Sequence, residues 1–285
     1  MPTYNTPTAI DLAINLQVGA IEVIASDRTD TVVTVSASNA TKASDRRGAE
    51  GIKVDFEGQR LTIAGPRPRI SWIGPGPTDS IDVKVELPTG SRLTAEIAVG
   101  NLRTIGRLGA TRVKSSTGAV DVDTTGDLSL RASHGNVTVG TAEGGIEITS
   151  DYGQIRIGTV TGDAILKASY GTILVGESDG DLDAKLSYGD LEITKALASV
   201  TAKTAYGSIQ LGEVSSGSIQ VESGFGEIAI GVRTGVPAWL DLSSKYGHVR
   251  NQLAADHAPD QSEQTVAIRA RTQSGDLNIH RAVKL

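Results

Sequence analysis

Three stretches carry one phrase: S-Y-G-T-I-L-V at 169–175, S-Y-G-D-L-E-I at 187–193 and A-Y-G-S-I-Q-L at 205–211. In each, a small residue, an aromatic and a glycine precede an apolar–polar–apolar run, and the copies follow at equal steps. Read outward, the glycine recurs at Gly100, Gly118, Gly135, Gly153, Gly171, Gly189, Gly207, Gly226 and Gly247. A further copy, Ser274 to Ile279, follows a polar insertion at 252–264. Halfway between lies a weaker unit: G-D-L-S-L at 126–130, G-I-E-I at 145–148, G-D-L-D-A at 180–184 and G-S-I-Q-V at 217–221. The period is therefore 18, in two halves of about nine. Each half alternates apolar and polar residues over four to six positions, then turns at Gly, Asp or Ser, which reads as a half-buried strand. No window keeps an apolar i, i+3, i+4 pattern over a dozen residues.

Two strands per repeat suit either a flattened β-solenoid or an antiparallel meander. The solenoid is preferred. It sets each residue about 4.8 Å from its counterpart in the next coil, so like selects like. A meander gives no reason for one column to stay Tyr and another Gly. The expectation is an all-β, flattened, single-chain, right-handed solenoid with an irregular β N-terminal cap. Residues 1–90 form the cap and 91–285 the repeats. Parity places Leu128, Ile148, Leu166, Leu182, Val200, Ile219, Leu240 and Leu242 inward on one strand set. On the other it places Val137, Ile157, Ile173, Leu191, Ile209 and Ile228 inward. Strand-like runs in the cap fall at 10–18, 20–25, 31–37, 52–57, 60–64 and 80–87. A polar loop from Ser38 to Glu50 and a Pro/Gly-rich loop from Ala64 to Ser80 separate them. Thr265 to Thr272 and Gly275 to His280 read as the closing strands. One coil buries only four or five aliphatics, too few to offset the ordering of a whole repeat, so coils are stable only in a stack.

Composition agrees. Of 285 residues, 33 are glycine, 6 are Tyr, 2 Trp and 2 Phe, and none is cysteine. Disulfides, zinc–thiolate and iron–sulfur sites and a cysteine nucleophile are excluded. The net charge of −6 gives no general attraction to nucleic acid. No apolar run reaches the roughly 18 residues of a transmembrane segment. The first ten residues lack the basic and apolar regions of a secretory signal, which leads to an expectation of a cytoplasmic protein, with surface display as the alternative.

The recurring S-x-G-D-[IL]-x-[IVL] units, as at Ser187 to Ile193 and Ser274 to Ile279, resemble a bacterial β-strand-repeat family. That family carries the label "putative adhesin" and is a domain of unknown function. The opening strand pair that ends in I-A-S-D-R-T-D at 24–30 supports the resemblance, as does V-P-A-W-L-D-L at 236–242 before Tyr246 and Gly247. The resemblance covers most of the chain. It implies a β-solenoid-like fold and no catalytic residues.

Candidate sites are surfaces rather than constellations. Tyr152, Tyr170, Tyr188, Tyr206, Phe225 and Tyr246 each precede a repeat glycine, and His134 fills the slot one coil earlier. They are expected to form a structural ladder of stacked rings, with parity turning them inward. A glycan-binding strip is the alternative. Arg131, Lys167, Lys185 and Lys203 form a basic column, interrupted by Thr149 and ended by Glu222. It is a partner-binding candidate that needs compensating acids. Arg67, Arg69 and Trp72 in the Pro/Gly-rich loop are a second, since Trp and Arg favour binding hot spots. Asp127, Asp163, Asp181, Asp190 and Asp276 follow glycines directly, which suits turn chemistry better than a calcium roll. His134, His248, His257 and His280 lack zinc-protease spacing, and no hydrolase, P-loop or dinucleotide motif occurs. The reading is a non-enzymatic scaffold or interaction module with no cofactor and no metal. It is expected to bind a protein partner or a second copy of itself. The alternatives are a surface adhesin for glycan or cell-wall polymer and a polysaccharide-active β-helix enzyme.

Overall fold

The computed structural model describes residues 2–65, 70–71, 74–75, 79–253 and 265–282. The chain divides into two compact units, Met1–Thr141 and Ala142–Leu285. The first holds β1 (Thr3–Asn5), β2 (Asp11–Ser26), β3 (Asp30–Ala37), α1 (Ala43–Glu50), β4 (Lys53–Glu57), β5 (Arg60–Ala64), β6 (Ile70–Ser71), β7 (Gly74–Pro75), β8 (Ile81–Pro88), β9 (Arg92–Ile105), β10 (Thr111–Thr117), β11 (Val120–Thr125), β12 (Leu128–His134) and β13 (Val137–Ala142). The second holds β14 (Ile146–Tyr152), β15 (Ile155–Val160), β16 (Ala164–Tyr170), β17 (Ile173–Ser178), β18 (Leu182–Tyr188), β19 (Leu191–Ala196), β20 (Val200–Tyr206), β21 (Ile209–Val214), β22 (Gly217–Phe225), β23 (Ile228–Val232), β24 (Ala238–Tyr246), β25 (Val249–Asn251), β26 (Val266–Ser274) and β27 (Leu277–Arg281).

In the C-terminal unit each strand pairs in parallel with the strand one coil on. One face runs β14–β16–β18–β20–β22 and the other β15–β17–β19–β21–β23. Ile146, Ala164, Leu182 and Val200 are successive register partners, each one repeat beyond the last. The core is the slot between these faces. Ile148, Leu166, Ala184, Ala202, Ile173, Ile193 and Ile228 are all inaccessible to solvent. This is the all-β parallel solenoid read from the repeat.

At the end of this unit the stacking order departs from the sequence order. β26 pairs with β22 on one side and β24 on the other, and β27 lies likewise between β23 and β25. The strands expected to close the stack are therefore its penultimate coil, and β24–β25 is the outermost. Its inward leucines show the consequence. Leu240 and Leu242 are only half-buried, whereas Ile219, Val221, Ile268 and Ala270 are fully buried.

The N-terminal unit uses the same device. β2 lies against β9 in parallel along its whole length, with Gly19 opposite Gly100. On its other side its first half pairs with β5 and its second with β8. The chain passes outward after β2 and returns at β9, so β5 and β8 form the outer coil. Antiparallel strands then cover that coil: β4 on β5, β3 on β8 and β1 on β3. Leu61, Ile63, Val83, Val85 and Leu87 are fully buried as a result. Within the segment expected to be a polar loop from Ser38 to Glu50, residues 43–50 are helical. The helix A-S-D-R-R-G-A-E has no apolar stripe to betray it. It is seated by polar contacts instead. Asp45 is buried, accepting from the Ser80 backbone N–H at 3.4 Å and the Ser44 hydroxyl at 3.0 Å. Close approach adds to this, since a Cβ on Gly48 would lie 2.5 Å from the Asp79 Cβ.

The glycine column has a double cause. At Gly171, Gly189, Gly207 and Gly226 φ is between +142° and +154°, a region that side chains avoid. A Cβ on Gly189 would also lie 1.9 Å from the carbonyl oxygen of Gly171 one coil earlier, and the same clash at 1.9–2.1 Å recurs at Gly171, Gly207, Gly226 and Gly275. The corner turns sharply enough that successive backbones touch. Gly189→Ala is expected to cost about 3 kcal/mol or more in denaturant unfolding. Gly58→Ala, where φ is +60° and nothing lies within 4 Å, costs about 1–2 kcal/mol.

Candidate functional site

Two side-chain columns run along β16, β18, β20 and β22, one at the corner and one on the outer face, separated by a stripe of small residues. The first stands at the corner. The rings of Tyr152, Tyr170, Tyr188, Tyr206 and Phe225 stack with centroids 4.9–5.0 Å apart and planes within 1–6° of parallel. Strand parity correctly gives these side chains the same side as the core residues, but they are not inside. Each ring is 45–48% exposed. The slot ends at the corner, so a side chain of inward parity there stands in its mouth with one edge in solvent. Each interior ring lies between two others, so ring edges rather than faces meet the water.

Tyr246 does not join this stack. Because β26 is inserted, Phe225 faces Ser274, and Ser274 faces Tyr246. The ladder lacks one rung at Ser274. Tyr246 is 65% exposed and carries the Lys245 ammonium 5.2 Å from its ring centroid. Beside the ladder, hydroxyls finish the corner: Thr204, Ser223, Thr272 and Ser244 donate to the carbonyls of Gly189, Gly207, Gly226 and Gly275 at 2.9–3.3 Å.

The second column is basic. Thr149, Lys167, Lys185, Lys203, Glu222 and Arg271 are successive register partners. Stacked ammonium groups would repel, and each has found a carboxylate. Lys167 lies 3.9 Å from Glu147, Lys185 3.3 Å from Asp183, and Lys203 2.9 Å from Glu222. Arg271 lies 3.6 Å from Asp241. Arg131 belongs to the N-terminal unit, where it stands beside Lys114. Arg67, Arg69 and Trp72 lie outside the described residues. A shallow hollow of about 670 Å³ opens over the small residues Ala205 and Gly224. Lys185, Lys203, Lys245 and Arg271 line it, with Glu222 as the one carboxylate among its lining residues. Arg271 was not legible as a member of this surface, because its place depends on the inserted coil.

The opposite face carries a column that a period-18 reading of charges would have found. Glu177, Lys195 and Glu213 are register partners of alternating sign, continued by Arg233. Lys195 donates to Glu177 at 2.7 Å, and that bond raises the ammonium pKa above its ordinary value. The turn aspartates also act between coils. Asp163, Asp181 and Asp190 accept from the backbone N–H groups of Asp181, Ser199 and Ser208 at 2.7–3.1 Å. Asp276 does the same for His248 at 2.9 Å. Among the described residues no three His, Cys, Asp or Glu side chains come together in a way that could hold a metal ion. Also among them, no helix is long and apolar enough to cross a membrane.

Three outcomes follow from this geometry. Tyr188→Ala loses two ring contacts and about 1–3 kcal/mol in urea unfolding. Ser274→Tyr supplies the missing rung between Phe225 and Tyr246, and is expected to raise stability by about 1–2 kcal/mol. Asp276 is held below the ordinary carboxylate range, chiefly by the His248 N–H. Its contribution is therefore present above the unfolded-state pKa and disappears as pH falls through the folded one. Asp276→Asn should lower stability at neutral pH, where that contribution is present, and converge with the wild type at low pH, so that its stability falls less steeply below about pH 4.

No curated protein matches the chain. Among solved structures it is similar to a "putative adhesin" from Parabacteroides distasonis, at 15% identity and TM-score 0.41, over 97% of this chain and 95% of that one. A "putative adhesin" from Parabacteroides merdae matches at 13% identity and TM-score 0.39, over 99% and 96%. A "putative cell adhesion protein" from Clostridium sporogenes matches at 12% and 0.23, over 98% of each. At these identities and scores the likenesses say nothing about activity. The model of the Toastrack DUF4097 family matches residues 10–282, and a match of that extent makes the chain a member of the Toastrack DUF4097 family, whose function is unknown.

Proposed function

We propose that this Toastrack domain is a non-enzymatic scaffold that presents a rigid, periodic surface to a protein partner in the cytoplasm. The observation that carries the reading is the hollow over Ala205 and Gly224, walled by four cations and one carboxylate on a protein of net charge −6. Three of its cations, Lys185, Lys203 and Arg271, stand on strands paired on both sides, so little backbone ordering remains to oppose binding. The ion pairs around it are solvent-exposed and individually weak. An acidic partner surface can replace their carboxylates without leaving a buried charge unpaired.

A second reading, adhesion through glycan, draws on the aromatic column. It is the weaker one, because a sugar ring packs on an aromatic face and the ladder's faces cover one another. Chemical cross-linking with mass spectrometry in the native cell, wild type against Lys185→Glu with Lys203→Glu, tests the first reading. The expected outcome is a cytoplasmic protein partner cross-linked to β18, β20 and β26, lost at least tenfold in the charge-reversed variant at unchanged Tm. A chain found only outside the cell, with glycan binding that Tyr188→Ala abolishes, would replace the scaffold by the adhesin.

A further inference from the structure

The two units finish their outer coils differently. In the N-terminal unit the outer strands β5 and β8 are covered by antiparallel β4, β3 and β1, and their inward aliphatics are fully buried. In the C-terminal unit the outer strand β24 has, among the described residues, a partner on one side only, namely β26. Among the described residues nothing pairs at the next register position beyond it. Leu240 and Leu242 are left half-buried at the mouth of the slot, and Trp239 is 60% exposed and Tyr246 65% exposed along the same strand. An unpaired strand of nine residues with apolar side chains on both faces is a template for another strand.

We propose that this edge docks a second copy of the chain, β24 against β24, in a closed two-fold dimer. The strand's own sequence favours that occupant. Antiparallel pairing centred on Leu242 sets Leu242 opposite the partner's Leu242 and Asp241 opposite the partner's Ser243. It sets Trp239 opposite the partner's Lys245 and Ala238 opposite the partner's Tyr246. No like charges meet, and each end of the paired strands sets an ammonium beside an indole, a cation–π pair. The four leucines at the centre complete the slot that Leu240 and Leu242 leave open. Because the outer coil of the N-terminal unit is already covered, the contact is isologous. It therefore closes at two copies and does not propagate into a filament. The proposal deepens the scaffold reading by naming the partner of one surface. The edge and the hollow share Lys245 of β24, but charge reversal at Lys185 and Lys203 reads the hollow whereas the Leu242 variants read the edge, so either can fail without the other.

Sedimentation equilibrium of the full chain tests it, together with cross-linking that exploits the absence of cysteine. The wild type is expected to reach twice the mass of the 29.6-kDa chain and grow no further with concentration. Leu242→Lys sets two ammonium groups face to face. It should weaken the dimer at least a hundredfold while the far-UV spectrum and Tm stay near wild type. Leu242→Cys should form a disulfide-linked dimer on mild oxidation, since opposed residues of an antiparallel pair meet the Cα spacing a disulfide needs. The control Ser187→Cys, on the outer face of the C-terminal unit, should not. A monomer at every concentration, species that keep growing, or a dimer indifferent to Leu242→Lys with no Leu242→Cys cross-link would each overturn the proposal. The cross-link remains decisive if Leu242→Lys does not fold.

Discussion

Everything in this fold depends on how closely one coil approaches the next at the glycine corner. The carbonyl oxygen of one repeat glycine lies where the Cβ of the next would be, 1.9–2.1 Å away in the C-terminal unit. The backbone there adopts φ near +140°, which glycine tolerates and other residues resist. That contact sets the register. Once Gly171 sits on Gly153 and Gly189 on Gly171, every other residue is stacked on its counterpart in the coil before. The tyrosine ladder, the hydroxyls that bond the glycine carbonyls, the aspartates that reach the next coil's N–H and the charge columns all follow. Each is a way of making like residues tolerable, or useful, at the spacing of one strand.

The chemistry of each column fits its place. Aromatic rings at the corner gain from stacking and lose little by being half in water. Lysines repel, so theirs is the column where carboxylates gather: Glu147, Asp183 and Glu222 come from neighbouring strands or two residues away. On the other face the sign alternates within the column itself, Glu177 to Lys195 to Glu213, and no outside acid is needed. The core slot is filled by medium aliphatics because side chains from two closely facing sheets share it. This accounts for a chain rich in glycine and poor in rings, with five of its aromatics in one ladder.

Much of this was legible in the sequence, because stacking writes itself as periodicity. The repeat, the strand alternation, the inward aliphatics and the family resemblance all rested on copies confirming one another. What was not legible depended on single events. The insertion of β26–β27 beneath β24–β25 leaves no trace in the repeat phrase, since a coil reads the same wherever it stacks. Tyr246 was therefore placed in a ladder from which Ser274 separates it. The exposure of the rings was misjudged because parity tells which side of a strand a residue occupies, not where the slot ends. The helix at Ala43–Glu50 escaped notice because polar contacts hold it, through Asp45 and Gly48, rather than an apolar stripe. Arg271 was missed as a member of the cationic hollow because it joins it only through the inserted coil.

Register can be read directly by disulfide trapping in this cysteine-free chain. In-register neighbours on parallel strands meet the spacing a disulfide requires. Glu222 and Arg271 are such neighbours, whereas Glu222 and Ser243 would be if the coils stacked in chain order. Glu222→Cys with Arg271→Cys should oxidise to an intramolecular bond that peptide mapping recovers in high yield, and Glu222→Cys with Ser243→Cys should stay reduced. The opposite result, a bond between positions 222 and 243 and none between 222 and 271, would contradict both the inserted coil and the stacking register from which the rest is built.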